Sequence, residues 1–184
     1  MLKKSFNRRL FLQGSGGLAV AGLLPTVPLN AAPSHFSDVA GLSAGQWQTL
    51  AAVQEHLFPA QPDTPGADDL NALVYLQNVL SQPEQTPEDR NFIRDGVLQV
   101  ADISRQQQQK AFTELNESQR EQVLRHMEQD KTGAQWLRTV LNYLMEALLT
   151  DPVYGGNPRG IGWTWVGHEH GFPRPPTDKR YFLL

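Results

Sequence analysis

Apolar residues recur at helical spacing along most of this chain, each run is opened by a capping signal, and no useful stretch alternates with period two. That pattern admits helices and leaves no material for a sheet. The best marked run holds Trp136, Leu137, Val140, Leu141, Leu144, Met145 and Leu148, which fall on one broad stripe. Thr132 and Gln135 read as the capping box that opens it. Asp151-Pro152 ends it, because the proline ring disfavours helical backbone in the residue before it. Upstream, Ser43 with Gln46 forms another capping box, flanked by Leu42 and Trp47 as a hydrophobic staple. Its stripe runs Trp47, Leu50, Ala51, Val53, Leu57, Phe58 and stops at Pro59. A second helix is expected from Ala67 to about Gln82, with Asp68 and Asp69 in its first turn and Leu70, Leu73, Val74, Leu76 and Leu80 on its buried face. Thr86 then Pro87, as cap and first helical residue, open a third. It carries Phe92, Ile93, Val97, Val100 and Ile103 and runs toward the polar stretch 105–110. Asn116 or Ser118 caps a short fourth helix with Val123, Leu124 and Met127, Gln119 or Glu121 reaching back. The expected fold is all-α, an irregular bundle of about five helices over residues 32–150.

The first 31 residues are of another kind. Asn7-Arg8-Arg9-Leu10-Phe11-Leu12-Gln13 sits behind Lys3 and Lys4, with no acid. A weakly apolar run follows, interrupted by Gly14, Gly16, Gly17, Gly22, Pro25 and Pro28. A membrane-spanning helix needs ~20 predominantly apolar residues, and this run is shorter and too rich in breakers. Paired arginines ahead of Phe-Leu read as a twin-arginine export signal, carried by Arg8, Arg9, Phe11 and Leu12, with cleavage near Ala31-Ala32. That route exports folded proteins, so the expected location is periplasmic and the twin-arginine translocase an expected partner. The remaining length, about 150 residues, is one domain's worth and buries enough surface to fold without staples.

Charge and cysteine narrow the chemistry. The chain carries a formal −3, the leader's two Lys and two Arg supply +4, and the remainder is therefore −7. An acidic domain argues against nucleic acid and against anionic membrane surfaces. Cysteine is absent, which excludes disulfides, thiolate-held zinc, iron–sulfur clusters and covalently attached c-type haem in this chain.

Composition changes again at Asp151, and 151–184 reads as an irregular C-terminal segment. It holds glycine at 155, 156, 160, 162, 167 and 171 and proline at 152, 158, 173, 175 and 176, among Tyr154, Trp163, Trp165, Phe172, Tyr181 and Phe182. Disordered tails are poor in aromatics, so tight turns presenting large apolar side chains to a surface are expected. Tyr154, Gly155, Gly156, Asn157, Gly162, Trp163 and Trp165 are the candidate partner-binding residues, the tryptophans as anchors and the glycines as turn-formers. For Trp163, packing on its own domain and gripping a partner are equally open. Gly155-Gly156-Asn157 is no phosphate loop, since it lacks the Lys-Ser/Thr pair and Pro158 and Gly160 follow where a helix should start.

Leu149-Thr150-Asp151-Pro152-Val153-Tyr154-Gly155-Gly156-Asn157, followed by Gly162-Trp163, resembles the signature near the end of the gluconate 2-dehydrogenase subunit 3 family. The run Thr49-Leu50-Ala51-Ala52-Val53 to Leu57-Phe58-Pro59, then Pro65-Gly66-Ala67, and Phe112 with Leu115 ahead of Val123-Leu124, agree with it. After Trp163 the chain departs from the family's short Gly-x-Pro-Gly ending, with Gly167-His168-Glu169-His170-Gly171-Phe172-Pro173-Arg174-Pro175 in its place. The resemblance implies a small non-catalytic subunit of a membrane-associated, flavin-dependent sugar or sugar-acid dehydrogenase. It implies a large flavin chain as partner, with FAD in that chain and no cofactor in this one. It also implies a membrane cytochrome c subunit completing the complex, and export of the large chain on the small one's signal.

Two alternatives rest on the residues themselves. His168 and His170 point to one side of an extended segment, and with oxygens from Asp151 or Asp178 they could hold a metal in a stand-alone periplasmic enzyme, although no further ligand is firmly nominated. The aromatic segment could instead serve as a sugar-binding module. No Gly-x-Ser-x-Gly nucleophile is present, and Asp68-Asp69 and Glu88-Asp89 sit at helix starts, where capping explains them.

Overall fold

The computed structural model describes residues 39–179. The export-signal residues Arg8, Arg9, Phe11 and Leu12 lie outside them. The described residues form six α-helices: α1 Ala44–Leu57, α2 Ala72–Ser81, α3 Pro87–Gln108, α4 Glu117–Glu128, α5 Lys131–Leu149 and α6 Ile161–Val166. Among them the only extended pairing is an isolated bridge between Gln61 and Thr64. The all-α irregular bundle expected from the stripes is therefore the architecture observed.

Local chemistry accounts for most helix starts. Ser43 and Gln46 close a reciprocal capping box on α1, and Thr86 and Asp89 do the same on α3, with Pro87 at its first position. On α4 the choice falls to Asn116, whose side chain accepts from the Gln119 N–H at 2.9 Å while Gln119 Oε1 takes the Asn116 N–H at 3.1 Å. Two starts differ from expectation. α5 is capped by Asp130, whose Oδ2 accepts from Thr132 N at 3.0 Å and Gly133 N at 3.1 Å, so Thr132 lies inside the helix. A carboxylate reaching two N–H groups at the positive helix end displaces the weaker hydroxyl. α2 begins at Ala72 and not at Ala67: residues 67–71 form turns, and Asn71 takes left-handed backbone (φ 53, ψ 36) just before the first helical residue. Asp69 then folds back to accept from Gly66 N at 2.9 Å.

α5 runs through the middle of the bundle and packs on α1, α2, α3, α4 and α6. Trp136 is its largest fully buried side chain, and its indole N–H donates to Ile93 O on α3 at 3.1 Å, satisfying the one polar atom the ring buries. α3 passes this ring at Gly96, where a Cβ would overlap the indole. Leu42, Phe112 and Leu115, outside the helices proper, plug the ends of the same core. Each fully buried side chain of this size contributes roughly 1.5–3 kcal/mol, which makes stripe burial the main folding drive. The stripe on α5 is narrower than expected. Leu141 and Met145 stand outside it, exposed, and on α2 so does Val74. At 100° per residue Met145 lies far round the helix from Val140, Leu144 and Ala147, which are buried.

Candidate functional site

Beyond α5 the chain doubles back as a strap of short turns, and each turn is fixed by an identifiable bond. Asp151 Oδ1 accepts from Val153 N at 3.0 Å and starts a single 3₁₀ turn, Pro152–Tyr154. Asn78 of α2 donates through Nδ2 to Tyr154 O at 3.2 Å. Gly155 sits at φ 100, which L side chains rarely adopt, with Asn78 Nδ2 where a Cβ would go, as the glycine-turn reading expected.

Asn157 locks the strap. It is 0% exposed and left-handed (φ 49, ψ 53). Its backbone N–H donates to Leu70 O at 3.0 Å, its Nδ2 donates to Thr150 O at 2.9 Å, and its Oδ1 accepts from Gly162 N at 2.7 Å. The asparagine amide offers donor and acceptor on two separate atoms of one short stem, and asparagine also tolerates left-handed backbone. The turn it holds delivers the chain to α6. There the backbone comes so close to Leu148 O that Gly162 has no room for a Cβ.

The segment is thus less irregular than its glycines and prolines suggest, since α6 is a helix of six residues. Their density sets the turns on either side of it. Trp163, at 7% exposure, packs inward and donates its indole N–H to Leu149 O at 2.7 Å, capping the end of α5. Own-domain packing is what the structure gives Trp163. Trp165 turns the other way: it is 42% exposed and meets Phe58 edge-to-face at 5.9 Å. Tyr154 is half-buried and Gly156 buried. Of the candidate partner-binding residues, Trp165 is the one with a large exposed ring.

His168 and His170 both face Trp163, at 6.0 and 5.2 Å between ring centres. The Arg174 guanidinium lies 5.5 Å from the same ring and binds Asp151 through Nε at 2.9 Å and Nη2 at 3.0 Å. Asp151, a candidate metal oxygen from sequence, is therefore engaged as Arg174's partner. These bonds hold its carboxyl below the usual aspartate range, with help from the Val153 N–H, against the opposing effect of partial burial. Among the described residues no three of His, Asp and Glu gather where they could hold a metal ion. Arg159, Trp163, His168, Glu169, His170 and Arg174 line a recess of about 490 Å³, polar and open to solvent. The Asp151–Arg174 clamp, 23 residues apart, leaves no spacing signal in the sequence, nor do the strap's receivers on the body, Leu70 and Asn78.

Fold and site together define an all-helical domain closed by an asparagine-locked, tryptophan-capped strap. Residues 44–171 match the family model of gluconate 2-dehydrogenase subunit 3, and the chain belongs to that family. The match takes in all six helices and most of the strap, so the resemblance in the sequence is confirmed over nearly the whole described domain. Comparison with curated proteins and with solved structures gives no match. That family is a subunit of a gluconate dehydrogenase complex.

Proposed function

We propose that this chain is the non-catalytic small subunit of a periplasmic flavin-dependent sugar or sugar-acid dehydrogenase, and that it escorts the flavin chain through the twin-arginine pore. The observation that carries the proposal is the family match over residues 44–171. The leader motif at Arg8-Arg9-Leu10-Phe11-Leu12 supports the export half, because a folded-protein route suits a subunit that binds its partner before leaving the cytoplasm. FAD belongs to the large chain in this reading, and a cytochrome c subunit receives the electrons at the membrane. The strap's polar groups support a structural role, since those of Asn157, Trp163, Asp151 and Arg174 are spent on the chain's own backbone and on each other.

The test is co-expression with the products of the neighbouring genes, among which a flavin-binding chain is expected. Flavin absorbance should co-purify with the tagged small subunit, and dehydrogenase activity should appear in the periplasm. Replacing Arg8 and Arg9 together by Lys should strand both chains in the cytoplasm while leaving them bound to each other. A small subunit that emerges alone and colourless refutes the assembly half. Periplasmic flavin activity undiminished by the Lys pair refutes the escort half.

A further inference from the structure

The outward ridge of α5 is exposed among the described residues. Lys131, Arg138 and Met145 follow one another at seven-residue intervals, with Leu149 four beyond, so at 100° per residue they stand within about 40° of one another over ~27 Å. Leu141 flanks this line. Leu141, Met145 and Leu149 are 37%, 39% and 52% exposed, although the opposite side of the same helix already supplies Val140, Leu144, Ala147 and Leu148 to the core. From Val140 to Leu149 the helix is apolar nearly all round, the character of a helix buried on every side. Its polar exceptions are Asn142, half-buried Tyr143, and Glu146, which accepts from Tyr75 OH at 3.0 Å.

The N-terminal half of the ridge differs in a complementary way. Lys131, Gln135, Arg138, Thr139 and Asn142 line a recess of about 500 Å³ that holds no acidic side chain. Arg90, Arg94, Arg105, Arg120, Arg125 and Arg174 each hold a carboxylate or a backbone carbonyl. Among the described residues Arg138 and, on the strap, Arg159 hold neither, and Lys131 makes no ion pair. Unpaired cations on a domain whose net charge is negative are a local field of opposite sign, available to an acidic surface.

Resting on the subunit reading above, we infer that this ridge is the docking face for the flavin-binding chain. The face it receives on that chain is acidic opposite Lys131 and Arg138 and apolar opposite Leu141, Met145 and Leu149. The two-part pattern fixes register as well as affinity, since sliding or inverting the partner would set charge against leucine. The strap helps by holding α6 against the end of α5, which leaves the ridge open as far as Leu149.

The experiment uses the full-length chain co-expressed with the products of its neighbouring genes, and measures flavin co-elution and affinity at rising ionic strength. Arg138→Glu and Met145→Glu lie on exposed positions, and unchanged helical circular dichroism would verify that they fold. Each is expected to weaken binding by about ten- to a hundredfold, and wild-type binding is expected to weaken with salt. Arg138→Lys keeps the charge and should retain binding within about threefold. If the wild type binds and both glutamate variants bind equally well, the ridge is not the interface while the subunit reading stands. If the wild type does not bind, the subunit reading falls and this inference with it. If the isolated chain is a dimer that Met145→Glu dissociates, the occupant is a second copy and the assignment to the flavin chain is overturned.

Discussion

Replacing Asn157 by alanine should release the strap while sparing the helices beneath it. The substitution deletes a donor to Thr150 O and an acceptor from Gly162 N, and it leaves a residue without asparagine's tolerance at φ 49. The Gly162 N–H is buried, and stranding it costs about 2 kcal/mol. Thr150 O lies nearer the surface and recovers water, so about 1 kcal/mol is assigned to it. Left-handed backbone in alanine adds about 1 kcal/mol. The total, about 4 kcal/mol, falls on a segment that can open without melting the main core. Global unfolding in urea will therefore register only part of it, and hydrogen exchange is the better assay. The Gly162 amide and the Trp163 indole N–H should each exchange about a thousandfold faster, since each 1.4 kcal/mol is a factor of ten. The Trp136 indole, bonded to Ile93 O in the core, should change far less. Asn157→Gly relieves the backbone strain but not the lost bonds, so it should fall about fivefold short of the alanine effect. Acceleration below tenfold at Gly162 would refute the claim that this amide locks the strap. Equal effects for Ala and Gly would refute the backbone share.

Two further outcomes follow from the packing. Gly96→Ala forces a methyl into the Trp136 ring, and urea titration should show a loss of about 1–3 kcal/mol with the slope unchanged. The Asp151–Arg174 clamp should open in acid. Because the Asp151 carboxyl is held below its ordinary value, its contribution is complete above the unfolded pKa of about 3.9 and is lost as pH falls through the folded one. Proteolysis of the segment after Gly167 should accelerate across that window, and Asp151→Asn should show the fast rate already at neutral pH. A flat profile in the wild type would refute the clamp.

Most of the helical body was legible because its signals are local. Ser43 with Gln46, Thr86 with Pro87 and Asn116 with Gln119 each act over three residues, and each operates as read. The misreadings have physical reasons. Thr132 lost the α5 cap to Asp130, a competition between neighbours that a spacing rule cannot judge. Asn71 delays the start of α2 by turning left-handed, a backbone choice that no spacing rule announces. Hydrophobicity alone does not say which side of a helix faces the core, so a stripe read from sequence takes in the exposed Leu141 and Met145. The strap was the least legible part. Its receivers, Leu70, Asn78 and Thr150, and its clamp at Arg174 are joined to it through space, and only the glycine at 155 announced its turn beforehand.

That distribution bears on where function resides. The Tyr-Gly-Gly-Asn…Gly-Trp piece is the most specific part of the family signature, and specificity invites an assignment to partner binding. Its atoms argue otherwise: the Asn157 amide, the Gly162 amide and the Trp163 indole are all bonded inward, to Thr150, to each other and to Leu149. A group already paired and buried has nothing left to offer a second chain. The signature accordingly reads as the requirement for closing the domain. Most residues with contact area to spare lie outside that signature, because Arg138, Leu141 and Met145 obey only the period of the helix that bears them. In a chain of this kind the recognisable pattern marks what holds the fold together. The interface is found by asking which large apolar and charged side chains the fold leaves unused.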